Sequence, residues 1–229
     1  SCTLTSPSER RKELQRLGHD RRELPGGEGP KDDLHWGHRV PPESEQKVLG
    51  EIGGKRAIVL GCGGGQDLVA LARLGATELV GVDASAVPLE HARTLLDAEN
   101  VRARLLEQSI SDVSAIADES FALAVSIHAL TYVERAGACL REVHRILTKG
   151  GTFGMSVRHP IDASTRDSPP YGFTKPYFQV VTHGSWRSLG GESSPFTSYH
   201  RTIADRFTLI KQSNLVIDSL QEPRPTRHR

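Results

Sequence analysis

Cysteine is scarce in this chain: Cys2, Cys62 and Cys139 are its three thiols in 229 residues. They are too few and too scattered to form a disulfide framework, so a reduced, cytoplasmic setting is expected. No CxxC pair or His-x-x-x-His spacing suggests zinc, and no carboxylate cluster suggests another metal. Long apolar runs are also missing, which argues against a membrane span, and no secretory signal opens the chain. Excess charge of either sign is absent as well. Lys and Arg number 29 against 28 Asp and Glu, a net +1 that gives no general attraction to nucleic acid.

What is present is concentrated between Ala57 and Asp83. The unbroken apolar run Ala57-Ile58-Val59-Leu60 suits a buried parallel strand. Gly61-Cys62-Gly63-Gly64-Gly65 then supplies a turn where backbone can approach a ligand closely. Leu68, Val69, Leu71, Ala72 and Leu74 follow at helical spacing, and Gly75 stands where that helix would stop. A second strand, Glu78 to Val82, delivers Asp83 at its carboxyl end, where an acidic group can accept both ribose hydroxyls. A dinucleotide fingerprint would need a small residue at position 66, which is Gln66.

The observed Gly61-x-Gly63-x-Gly65 resembles motif I of the class I S-adenosylmethionine-dependent methyltransferases, and the chain is similar to their bacterial small-molecule type. The resemblance covers roughly Lys55 to Met155. It implies S-adenosylmethionine as cofactor, with its methionine portion over Gly61, Cys62, Gly63 and Gly65 and its ribose on Asp83. It also implies adenine near Ala84, Ser109 and Ile110, with Ser126 and His128 facing the sulfonium. Three positions depart from the family, one of them Ala122, since the fourth strand commonly starts Phe-Asp and here reads Phe121-Ala122. Val59 replaces the usual acidic residue before the first glycine, so Asp67 is the candidate for the cofactor's ammonium, and Ser109 replaces a common Asp.

The rest of the chain divides around that core. Residues 1–54 read as an N-terminal lid, with a helix near Ser8 to Leu17 and another near Glu45 to Leu49. Residues 55–157 alternate strand and helix, which predicts an α/β fold with a doubly wound, Rossmann-like sheet of five parallel strands. Residues 158–200, rich in Pro, Gly, Ser and aromatics, read as a small cap inserted after the fifth strand, with Tyr177–Thr182 paired to Ser194–His200. Residues 201–229 are expected to add a helix over Thr202–Ser213 and a strand over Leu215–Leu220. The family's final antiparallel strand is expected to be either absent or truncated here, which leaves a sheet edge through which a second copy could pair as a homodimer.

His128 is the first candidate for a general base, because its strand end lies near the transferred methyl; the alternative is a hydrogen-bonded structural histidine. Tyr132, four residues on, could share its helical face, and His159 is a further candidate base that could instead simply end the fifth strand. Trp36, Tyr171, Tyr177, Phe178 and Trp186 lie outside the sheet and could wall a flat acceptor or form small cap cores. The Asn- or Asp-Pro-Pro-aromatic signature of nucleic-acid amino-methyltransferases is replaced after the fourth strand by Ser126-Ile127-His128-Ala129. The expected acceptor is therefore a small organic metabolite, aromatic or indole-like, of natural-product type. An NAD-dependent oxidoreductase and a non-catalytic S-adenosylmethionine-binding protein stay open as alternatives; Tyr171-x-x-x-Lys175 has dehydrogenase spacing but sits in a loop.

Overall fold

The computed structural model describes residues 32–37, 40–165, 172–178, 180–187 and 193–224. The predicted helix near Ser8 and the loop before residue 31 lie outside these residues. The core elements are β1 (Arg56–Leu60), α2 (Gln66–Arg73), β2 (Thr77–Asp83), α3 (Ala86–Ala98), β3 (Ala103–Glu107), β4 (Phe121–Ile127), α4 (Ala136–Ile146) and β5 (Leu147–Ser156). A one-turn helix, α1 (Glu43–Gln46), precedes them. The strands form one parallel sheet in the order β3-β2-β1-β4-β5.

The unbroken apolar runs have a direct cause: the sheet is covered on both faces. From β1, Ala57 and Val59 enter one core with Leu68 and Leu71 of α2 and Leu89 of α3. Ile58 and Leu60 enter the other, with Cys139, Leu140, Val143 and Ile146 of α4. A strand buried on both sides keeps no polar alternation. β5 begins at Leu147, and a register shift between the pairings of Phe121 and Leu123 lets the strand run through Gly150-Gly151.

The leader packs on the first face through Leu34, Trp36 and Leu49. The buried Glu43 carboxylate accepts from Trp36 Nε1 (2.9 Å), Leu49 N (2.6 Å) and Val48 N (3.1 Å). That trio of donors satisfies a carboxylate which would otherwise be costly to bury. Trp36 and Leu49 together fill the space beside Gly154 of β5 that a side chain would occupy.

After β5 the chain forms an antiparallel hairpin, β6 (Val181–Arg187) and β7 (Ser193–Tyr199), with Val181 opposite Tyr199 and Arg187 opposite Ser193. The second strand lies within a residue of its predicted position. The first starts four residues later, since Tyr177 and Phe178 form a turn with their rings edge to face. Helix α5 (Ile203–Gln212) follows, started by a reciprocal capping box between Thr202 and Asp205. The strand expected over Leu215–Leu220 is not formed. No strand among the described residues pairs with it, and Val216 and Leu220 are 91% and 74% exposed. β3 and β5 are thus the edges of the five-stranded sheet.

Gly154→Ala places a methyl where Trp36 and Leu49 sit. The expected cost is about 1–3 kcal/mol in urea unfolding, with a red shift of tryptophan fluorescence. An unchanged midpoint and spectrum would show that the leader is not seated there.

Candidate active site

The glycine turn is shaped by what surrounds it. Gly61, Gly63 and Gly65 have φ of +79°, +49° and +85°, values that L side chains resist. Gly61 N and Cys62 N donate to Val82 O (2.8 and 3.0 Å), and Gly65 N closes the turn on Cys62 O (2.9 Å). A Cβ on Gly61 would overlap Ala129, and one on Gly65 would press on Ala92 of α3 at 3.1 Å. Gly63 differs: a Cβ there would meet nothing within 4 Å. Bare backbone at Gly63 therefore borders open space.

Asp83 closes the same turn from β2. Its Oδ2 accepts from Gly63 N (2.9 Å) and its Oδ1 from Ser85 N (3.0 Å). Each carboxylate oxygen keeps a further lone pair, so ribose hydroxyls can still donate to it. Cys62 contributes backbone only. Burial, reinforced by the charges of Asp83 and Asp67, pushes its thiol up to about 12. Roughly one molecule in 10⁵ would then carry a thiolate at pH 7, too few for a nucleophile. Asp67, in the first turn of α2, has no hydrogen-bond partner among the described residues, and desolvation pushes its carboxyl up to about 7.

The carboxyl ends of the strands carry unpartnered buried polar atoms: Gln108 Oε1 after β3, His128 Nδ1 after β4, Thr131 Oγ1 in the next turn, and Ser156 Oγ at the end of β5. Atoms of this kind are normally satisfied, so a row of them along one edge marks where a polar ligand would bind. Together with the open space over Gly63 and the free lone pairs of Asp83, they fit a nucleoside with an amino-acid tail.

His128 stands at the centre of that edge. It adopts φ +58°, unusual for a residue with a side chain. The Gly37 backbone is pressed against its ring, since a Cβ on Gly37 would lie 2.5 Å from His128 Nε2. Burial first, then the positive charge of Arg158, holds its imidazole below the ordinary range, in the neutral form that accepts a proton. Tyr132 closes the one-turn 3-10 helix Ala129–Tyr132 that follows, and packs edge-to-face on Phe196 of β7 at 5.7 Å. Burial raises its phenol above the usual range.

The other candidates have surroundings of their own. Ser126 is fully buried and donates to Leu60 O (2.9 Å), a tie between β4 and β1 beneath the site. Ile110 is buried in the second core, Ser109 is exposed and accepts from Ser111 N, and Ala84 is exposed beside Asp83. Both nitrogens of His159 are engaged, Nε2 with Glu222 at 3.1 Å and Nδ1 with Ile161 N at 3.2 Å, which makes it a strand-end anchor. Trp36 is a core residue with a satisfied indole N–H, not an open wall. Tyr177 packs against Phe178 and, at 5.7 Å, against His200; Phe178 itself is 77% exposed. Trp186 lies in β6 opposite Ser194, and Tyr171 falls outside the described residues. Gln108, Thr131, Ser156 and His200 were missed from the sequence, because only folding shows that their polar atoms are buried without partners.

Residues 58–155 match the methyltransferase domain family. An S-adenosylmethionine-dependent methyltransferase from Mesorhizobium loti superimposes with a TM-score of 0.66 at 27% identity, over 80% of this chain and 84% of that one. A structure from Listeria monocytogenes shares the fold, with a TM-score of 0.64 at 23% identity over 80% and 84% of the two chains. An uncharacterized protein of Haemophilus influenzae is 26% identical over 185 residues, 77% of this chain and 73% of its own. Fold and glycine turn thus define a class I S-adenosylmethionine-dependent methyltransferase. Residues 58–155 carry a methyltransferase domain, and S-adenosylmethionine is its cofactor. The nicotinamide alternative is left without support. No helix among the described residues is long and apolar enough to cross a membrane.

The raised carboxyl of Asp67 has a consequence for stability. Its folded form binds a proton more tightly than the unfolded chain, so its contribution falls as pH rises from near 3.8 to about 7 and is constant above that. Asp67→Asn is expected to gain stability over the wild type across that window and to hold the gain at higher pH. Urea unfolding at a series of pH values checks this; a constant difference between the two proteins would contradict it.

Proposed function

We propose that this methyltransferase acts on a small organic acceptor with a flat, aromatic body, of the kind found among natural-product intermediates. One observation carries the reading: the end of β4 is covered from two sides. Gly37 of the leader rests on His128, while Arg201, at the root of the hairpin, donates to Val133 O and Glu134 O at 2.7 Å each. Leader and hairpin then act as lid and cap around a space suited to a small molecule. Tyr132, Phe196 and Tyr177 supply aromatic surface beside it.

In this reading the bound cofactor supplies an electrophilic methyl group on a sulfonium. The chain's own work is placement. Gly63 and Asp83 fix the donor, Asp67 meets its ammonium, and the cap presents the acceptor in line, which can account for roughly 7–11 kcal/mol in favourable cases. His128, neutral and with Nδ1 unpartnered, accepts the acceptor's proton where one is lost.

Asp83→Ala removes two hydrogen bonds that shape the turn as well as the ribose acceptor. Cofactor affinity by calorimetry is expected to fall at least about tenfold, the value of one charged hydrogen bond. His128→Ala is expected to slow turnover about 10²–10⁴-fold while leaving cofactor affinity nearly intact; equal turnover would leave it only a packing role. Label transferred from methyl-tritiated S-adenosylmethionine in a cell extract should pass an ultrafilter. Retention of the label on protein or nucleic acid would refute the small-acceptor reading.

A further inference from the structure

The turn after β4, the hairpin root and α5 enclose a small cavity. Arg201, Arg206, Thr131 and Tyr199 line it above an apolar floor that includes Met155 and Leu209. Its open volume, about 20 Å³, admits one small polar group rather than a whole molecule. The polar content is one-sided. Arg206 makes a single hydrogen bond, from Nη2 to Arg158 O at 3.0 Å. Its Nε and Nη1 have no partner among the described residues. Arg201 donates only to main-chain carbonyls: Leu130, Tyr199, Val133 and Glu134. Neither guanidinium is ion-paired among the described residues, and the hydroxyl of Thr131 is buried with no partner.

The nearby Asp205 carboxylate offsets part of this charge but forms no ion pair with either guanidinium among the described residues. Asp205 is held by Thr202 in the cap of α5, and Asp162 pairs with Arg158. Burial holds both Arg201 and Arg206 below the ordinary guanidinium range, and the charge of Arg201 lowers Arg206 further. Two cations placed side by side, partly out of water, are costly unless an anion joins them. A water molecule could satisfy Thr131 but would leave that repulsion in place. The free Arg206 donors form a fork suited to a planar or tetrahedral oxyanion.

We propose that Arg206, with Arg201 and Thr131, binds an anionic group, carboxylate or phosphate, on the methyl acceptor. This rests on the small-acceptor reading and narrows it: the acceptor has an aromatic body and a negatively charged end. Thr131 N donates to His128 O at 3.2 Å, so the anion site and the candidate base belong to one turn. Seating the charged end would fix the rest of the acceptor relative to His128.

The test uses the full chain saturated with S-adenosylhomocysteine and three probes of one shape: benzoate, phenylphosphonate and neutral benzamide. Calorimetry at constant ionic strength is expected to give saturable binding of at least one anion and none of benzamide. Tighter benzoate assigns a carboxylate, and tighter phenylphosphonate a phosphate. Arg206→Gln should weaken the preferred anion at least about tenfold, with Arg206→Lys intermediate because it keeps charge but loses the fork. Thr131→Val should weaken the anion and raise Tm, since it replaces an unpartnered hydroxyl with a methyl of the same shape; it decides the matter if Arg206→Gln does not fold. Benzamide binding as well as the anions, or anion affinity unchanged in the folded variants, would overturn the proposal. Loss of S-adenosylhomocysteine binding by the wild type would instead strike the methyltransferase assignment, so the two failures are separable.

Discussion

At Gly61 and Gly65 other parts of the chain occupy the room a side chain would need, Ala129 at the first and Ala92 at the second. The turn between them can therefore lie flat against α3 and against the segment leaving β4. Gly63, midway, is left bordering open space with its N–H held by Asp83. That bond joins residues 20 apart in sequence and ties the end of β2 to the loop after β1. Every other feature of the site is positioned relative to it: the unpartnered atoms at the ends of β3, β4 and β5 share its edge, and the turn bearing His128 and Tyr132 lies on top of it.

Electrostatics divides the site into two regions of opposite character. Around the glycine turn, Asp83 and Asp67 create a place for a cation and for hydroxyl donors. Both raise the Cys62 thiol, so the one nucleophile in the turn is kept inert. On the other side of the site stand Arg158, Arg201 and Arg206; burial first, then the charge of Arg158, keeps the His128 imidazole neutral. A cationic donor on one side and an anionic acceptor on the other would meet at the end of β4, with opposite charges drawing them together.

Two appended parts complete the edge in different ways. The leader is bound through Glu43, whose buried carboxylate gathers Trp36 and the start of the chain's approach to β1. The hairpin is bound through Arg201, which reaches four carbonyls across 71 residues of sequence. In each case a single charged side chain satisfies main-chain or indole groups at a distance. Polar ties of this kind hold irregular chain where too few apolar contacts are available.

Local pattern determined much of this protein. An apolar run with no alternation announced β1, and clustered glycines together with an acid at the next strand end announced the cofactor turn, since those needs are met within a few residues. The helix over Thr202–Ser213 was equally legible, and α5 forms within those bounds. Tertiary structure alone decided which polar atoms are spent and which are free. Ser126 is consumed by Leu60 and His159 by Glu222, whereas Gln108, Thr131, Ser156 and His200 keep buried atoms without partners. It also decided that Trp36 belongs to the core and that Leu215–Leu220 forms no strand. The reason is common to all of them: burial and hydrogen-bond satisfaction depend on residues distant in sequence, and no spacing along the chain encodes who will be adjacent.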